Sequence, residues 1–157
     1  MLTALLLLAI ESGRQRAAAP AAPLGDWKNE ISTTGGFSGA GTGGVTVSSN
    51  GVLVITLINK KECTYQLTAG ELQMLNAAVA NAQPGTWLEC YSLANVSTHC
   101  CDLVTTTLKL TQRGGRDLFV TSWLMGPLPA DLQNLVDVLR GPAGIDTRYR
   151  QLCATTP

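Results

Sequence analysis

Charge of one sign, histidine and aromatic side chains are all in short supply in this 157-residue chain, and each scarcity removes a class of function. The 11 basic and 11 acidic residues cancel to a formal net charge of +0. The basic footprint that grips a phosphate backbone is therefore missing, and nucleic acid is not expected as a partner. His99 is the single histidine and the only side chain whose unperturbed pKa lies near neutrality. That poverty counts against most hydrolytic constellations and predicts a protein that is not an enzyme and needs no cofactor. No apolar run reaches the roughly 18 residues that suggest a membrane-crossing helix, so no stable span is expected.

The length suits one domain with extensions, enough to bury a core of its own. The opening MLTALLLLAI has the length of a signal-peptide apolar region, with the small residues Ala17, Ala18 and Ala19 placed for cleavage. Basic residues before the run are absent, and Glu11, Arg14 and Arg16 follow it. Residues 1–26 accordingly read as an atypical export signal and linker, the alternative being an alanine- and proline-rich tail. Five cysteines, Cys63, Cys90, Cys100, Cys101 and Cys153, fit the oxidising compartment that export implies. Cys90 can close onto Cys100 or Cys101, and Cys63 can reach Cys153 if the C-terminal tail folds back; spacing leaves the pairing open and one thiol over.

The segment from Ile31 to Gly51, ISTTGGFSGAGTGGVTVSSNG, holds the least ordinary stretch of the chain. Between Gly35 and Gly44 its one large side chain is Phe37, and glycines on either side permit a sharp corner, a cradle or a docking edge. A phosphate cradle is excluded, because no Lys-Ser/Thr follows and a strand, not a helix, comes next. Before the loop, Trp27, Asn29 and Ile31 alternate with Lys28, Glu30 and Ser32 in the weak pattern of an edge strand. After it, Val45 and Val47 lead to Asn50-Gly51, a hairpin signal that calls for φ > 0 at both turn residues. Val52 to Ile58 is apolar on both faces and reads as the central strand.

A capping box at Thr68 and Glu71, with Leu67 and Leu72 as a hydrophobic staple, starts a helix carrying Leu72, Leu75, Val79 and Ala82, stopped by Pro84. Residues 86–101 read as irregular. A second hairpin runs from Asp102 through Arg113-Gly114-Gly115-Arg116 to about Trp123. A second helix follows, with Pro129 at its first position, Asp131 in its first turn, a stripe of Leu132, Leu135, Val136 and Leu139, and Arg140 at its end. The fold expected is α+β: a mostly antiparallel sheet built from hairpins, with two helices packed on it. Residues 27–141 form the single domain, and 142–157 a polar tail tied, if at all, by Cys153.

His99, Cys100, Cys101 and Asp102 with Cys90 lack the regular spacing of structural zinc, and adjacent cysteines in an exported chain favour disulfides, so no metal site is expected. Asn95-Val96-Ser97 is a formal glycosylation sequon relevant only to a eukaryotic secretory path.

Taken together, STTGGFSG, the hairpin, L-T-x-x-E-L before a helix, D-L-V-T-T-T-L-K-L and L-P-A-D-L-x-x-L-x-x-x-L resemble the emfourin-like family over about Trp27 to Arg140. That family's namesake is a bacterial protein inhibitor of protealysin, a thermolysin-type zinc metalloprotease. The resemblance implies a small α+β inhibitor that fills a protease cleft noncovalently with loops; a monomer is expected. Carried onto this chain, it makes Gly35, Gly36, Phe37, Ser38 and Gly39 the partner-binding loop. The cysteine-bearing middle loop and cysteine-ended tail depart from the namesake. Phe37 either inserts into a partner's pocket or folds into the core, the glycines then merely permitting the bend. Two other classes are a structural or envelope-associated interaction domain, and a small metal-binding protein or hydrolase requiring His99 and Asp102 to converge.

Overall fold

A computed structural model describes residues 25–36, 41–92, 103–124 and 126–156, and among them lie seven strands and three α-helices. The strands are β1 (Lys28–Gly35), β2 (Gly44–Ser48), β3 (Val52–Thr56), β4 (Glu62–Gln66), β5 (Cys90–Tyr91), β6 (Val104–Gln112) and β7 (Asp117–Trp123). The helices are α1 (Ala69–Asn81), α2 (Ala130–Arg140) and α3 (Ile145–Thr155). One sheet contains all the strands in the order β4-β3-β2-β1-β6-β7-β5, antiparallel except where β5 runs parallel to β7. The class is therefore α+β, as the two hairpin-then-helix halves lead one to expect.

Every strand of the sheet proper turns alternate residues to one covered face. Ile31, Val45, Val47, Leu53, Ile55, Leu108 and Leu110 are buried there. The covering layer supplies Leu75, Ala78 and Val79 from α1, Leu132, Leu135 and Leu139 from α2, and Ile145, Tyr149 and Cys153 from α3, all in one cluster. Trp27 joins the layers by giving its indole N–H to Asn76 Oδ1 at 2.9 Å. The opposite face is open to solvent and rich in hydroxyls. Cross-strand register sets Thr46, Glu30, Lys109 and Val120 in one row across it.

Expectations for two strands and for the C-terminal tail need correction. β1 is the middle strand of the sheet, with β2 on one side and β6 on the other. Its weak alternation reports one buried and one solvated face, which says nothing about lateral position. β3, read as the central strand covered on both faces, is next to the edge, and Val52 and Val54 are half-exposed on the open face. The tail after Gly141 forms α3, whose Ile145, Tyr149 and Cys153 recur every four residues along one buried stripe. Its other positions are polar enough to mask that stripe in a linear reading.

Local chemistry explains the punctuation. The β2–β3 turn is a three-residue connection: Gly51, at φ +80°, donates to Ser48 O at 2.8 Å while Asn50 keeps a negative φ. Asn50 Oδ1 instead accepts from Val52 N at 3.0 Å and Ser48 Oγ at 2.7 Å, fixing the turn with its side chain. This is a type I turn closed by a glycine bulge, not the two-residue primed turn that Asn-Gly suggests. The α1 capping box is present as expected, Thr68 N donating to Glu71 Oε2 at 2.9 Å and Glu71 N to Thr68 Oγ1 at 3.4 Å. In α2, Pro129 is the cap and Ala130 the first helical residue. Asp131 Oδ2 accepts from Trp87 Nε1 and Gln83 N, both at 2.8 Å, and so ties α2 to the segment leaving α1.

Glu71 is buried and links α1 to α3, accepting from Tyr149 Oη at 3.1 Å and pairing with Arg148. Burial works to raise its pKa, but the bonds from Thr68 and Tyr149 and the Arg148 charge outweigh it and hold the carboxyl below its ordinary value. Asp131 is likewise lowered, its hydrogen bonds overcoming burial. Both groups have folded-state pKa values below their unfolded ones. Their contribution is therefore full above the ordinary carboxylate range and disappears as pH falls through the depressed folded values. Stability measured by urea unfolding should decline from pH 5 downward, and Glu71→Gln should flatten that decline.

Asn29 sits on β1 in the covered face, fully buried, with neither its amide nitrogen nor its oxygen bonded. Both groups lose water without recompense, a cost of about 1–3 kcal/mol. Asn29→Leu, nearly isosteric, is expected to raise the thermal midpoint by several degrees. A lowered midpoint would mean that the amide is satisfied in solution.

Candidate functional site

The two ends of the glycine loop are among the most constrained backbone in the structure. Gly35 lies at φ +92°, and a Cβ there would stand 2.4 Å from Leu103 O. At the far end Gly43, φ +87°, would bring a Cβ to 2.2 Å from Thr56 O. Only glycine fits either place, because the neighbouring strands pass directly against the loop backbone. Gly36 N donates to Leu103 O at 3.2 Å, and Gly41 N donates to Gly35 O at 2.9 Å, closing the neck.

Thr33, at the end of β1, stitches the neck from inside. Its hydroxyl accepts from Thr42 N at 2.6 Å, donates to Gly43 O at 3.0 Å and lies 3.1 Å from Thr42 Oγ1. Outside, α3 grips the same residues through Arg150. Its Nη1 donates to Thr42 O at 3.1 Å and Thr56 O at 3.3 Å, and its Nη2 to Gly44 O at 3.2 Å. One guanidinium thereby fastens α3 to the loop neck and to the end of β3.

Arg150 is aimed by Asp146, one turn earlier, whose carboxylate takes both Nε and Nη2 at 3.2 Å. Asp146 is buried, only 3 % exposed, and also pairs with Arg140 Nε at 3.0 Å from the end of α2. Arg140 Nη2 makes a long 3.5 Å contact with Thr42 Oγ1. Burial lowers the Arg140 pKa from the ordinary arginine value; the Asp146 charge opposes this and the Arg150 charge adds to it. These groups border a cleft of about 370 Å³ lined by Thr42, Arg140, Asp146, Thr147, Arg150 and Gln151. A second hollow, of about 340 Å³, adjoins it across Thr42 and Arg150 and is lined by Leu57, Ile58, Asn59 and Ala154.

The helix that carries Arg150 is fixed covalently. Cys153 is fully buried and bonded to Cys63 on β4, with Cα atoms 5.7 Å apart. Cys90, offered by spacing as a partner for Cys100 or Cys101, is an exposed free thiol on β5. Protein-family models, curated proteins and solved structures all give no match to this chain.

Of the residues singled out from sequence, Gly35 and Gly36 form the inner wall of the neck. Phe37, Ser38 and Gly39 lie outside the described residues, as do the export segment, Asn95, His99, Cys100, Cys101 and Asp102. Among the described residues no group of three or more His, Cys, Asp or Glu side chains is placed to hold a metal ion, and no helix is long and apolar enough to cross a membrane. Sequence reasoning missed Thr33, Thr42, Asp146 and Arg150. The available signal was the i, i+4 acid–base pair Asp146–Arg150, offset by one from the stripe Ile145, Tyr149, Cys153.

Proposed function

We propose that the chain is an exported protein-binding module acting as a noncovalent inhibitor of a thermolysin-like zinc metalloprotease, with the glycine loop as its contact. The observation that carries this reading is the double fastening of the loop neck, by Thr33 from within and by Arg150 from without. A neck anchored in this way needs no further ordering when a partner docks, so more of the contact energy appears as affinity. Phe37, the glycine-flanked aromatic of the loop sequence, is the side chain suited to fill an apolar pocket. The Cys63–Cys153 bond supports an oxidising destination. An interaction domain without inhibitory activity is the second reading. It is favoured by the uncovered face of the sheet, where Leu118 and Val120 on β7 are exposed.

The test is the rate of peptide hydrolysis by thermolysin-like proteases of the same organism in the presence of the oxidised protein. Inhibition is expected, with Phe37→Ala weakening it roughly 30-fold, the effect of losing an anchor worth about 2 kcal/mol. If no such protease is slowed, inhibition is removed as the function. Equal potency in the variant would move the contact away from Phe37.

A further inference from the structure

The two arginines at the loop neck are not equivalent. Arg150 is saturated: Nε and Nη2 hold Asp146, and Nη1 and Nη2 hold three main-chain carbonyls. It is a fastening. Arg140 gives only Nε to Asp146 at a bonding distance, with Thr42 Oγ1 at 3.5 Å from Nη2. Among the described residues its remaining N–H groups have no acceptor, and they border the 370 Å³ cleft. The charges are also unequal, two guanidinium groups facing one carboxylate. A guanidinium is a fixed cation with a planar fork of donors that matches a carboxylate.

We propose that this cleft receives a carboxylate of the protein that docks on the glycine loop, with Arg140 as the group that binds it. The proposal rests on the docking reading, and it adds the chemistry of the partner: an acidic group that reaches the cleft beside the loop neck. Thr147 contributes little to binding, since its hydroxyl is engaged with Gly141 O at 3.1 Å. Arg140 is therefore the charged group left to hold an anion, with the Gln151 amide as a neutral donor beside it. Asp146 repels a second anion from the inner end of the cleft, so a monoanionic carboxylate is preferred over a more highly charged group. A carboxylate there would complete a four-charge alternation of arginine, aspartate, arginine and partner acid. It would also seat against Thr42, so that occupancy of the cleft and the shape of the loop neck become coupled.

The experiment is a titration of the ¹⁵N-labelled full chain with three probes at matched ionic strength: sodium acetate, N-acetyl-aspartate amide, and a short N-acetylated peptide with a free C-terminus. Saturable shifts at the Arg140 Nε–H and at the Thr42 and Thr147 amides are expected. The stronger of the two peptide-like probes tells whether the partner's group is a side chain or a chain terminus. Arg140→Gln should weaken binding about tenfold or more, whereas Arg116→Gln, in the exposed β6–β7 turn, should leave it unchanged. Non-saturating shifts, or equal shifts in Arg140→Gln, overturn the site and leave the triad as a structural element only. Should Arg140→Gln fail to fold, Arg140→Lys keeps the charge but loses the planar fork; it is expected to retain acetate binding at reduced affinity, and undiminished affinity would overturn the assignment to the fork. The two proposals fail separately. Carboxylate binding without inhibition of any protease leaves the cleft standing and removes the inhibitor reading. Inhibition undiminished in Arg140→Gln does the reverse.

Discussion

Replacing both Cys63 and Cys153 by alanine is expected to lower the stability of the domain by about 3–5 kcal/mol. The two residues are separated by 90 positions. Cutting the tie releases most of the chain in the unfolded state, and the entropy so gained falls entirely on the unfolded side. Urea unfolding under oxidising conditions measures the loss. It should also show a steeper denaturant dependence for the variant, whose unfolded chain exposes more surface. Wild-type protein treated with a dithiol in denaturant and refolded under reducing conditions should match the variant. A change below about 1 kcal/mol would mean that the packing of Ile145 and Tyr149 alone holds α3 in place.

Asp146→Asn should be the second most costly change, about 3 kcal/mol. It leaves two inward-facing guanidinium groups without their shared counter-charge, and breaking a buried pair from one side costs more than the pair is worth. The arginine side chains are 16 % and 24 % exposed, so water screens part of the loss and the figure is set at the low end of the buried range. The loss should also be uneven. Amide exchange at Thr42 is expected to accelerate more than exchange in β6, because Thr42 lies in the segment whose carbonyls Arg150 holds. Uniform acceleration would show that Asp146 supports the whole domain and not the loop neck in particular.

The parts of this fold that were legible in the sequence are those governed by neighbours in the chain. Thr68 and Glu71 are three residues apart, and their reciprocal bonds appear where the capping box places them. Leu132, Leu135 and Leu139 recur at helical spacing and are buried. The turn at Arg113 to Gly115 follows from two glycines between alternating runs. What depends on distant partners was hidden. Asn29 and Ile31 look like members of an edge strand because nothing within β1 announces that β6 will pair along its whole length. β5 is two residues long and exists only through β7.

The candidate site divides in the same way. Its glycines were conspicuous because a positive φ is a local demand. Arg150 was not, since its importance lies in carbonyls that precede it by about a hundred positions. An arginine in a polar helix gives no local sign that it will be spent on the backbone of two other strands. Asp146 has the same difficulty: a lone acidic residue in a first turn reads as a dipole complement, and its second arginine comes from a different helix.

The central place of β1 also has a consequence for the order in which the chain assembles. β1 can pair early on one side only, with β2. Its other edge stays open until residues 104–112 are available, and the helix that clasps the loop neck, residues 145–155, comes later still. Assembly is therefore dominated by contacts distant in sequence, which slows folding relative to helical domains of this size. During that interval the row of unpaired backbone on β1, beside the buried face carrying Ile31, is the surface most exposed to mispairing. Cys63 waits longer still, for Cys153, while Cys90, Cys100 and Cys101 are made in between.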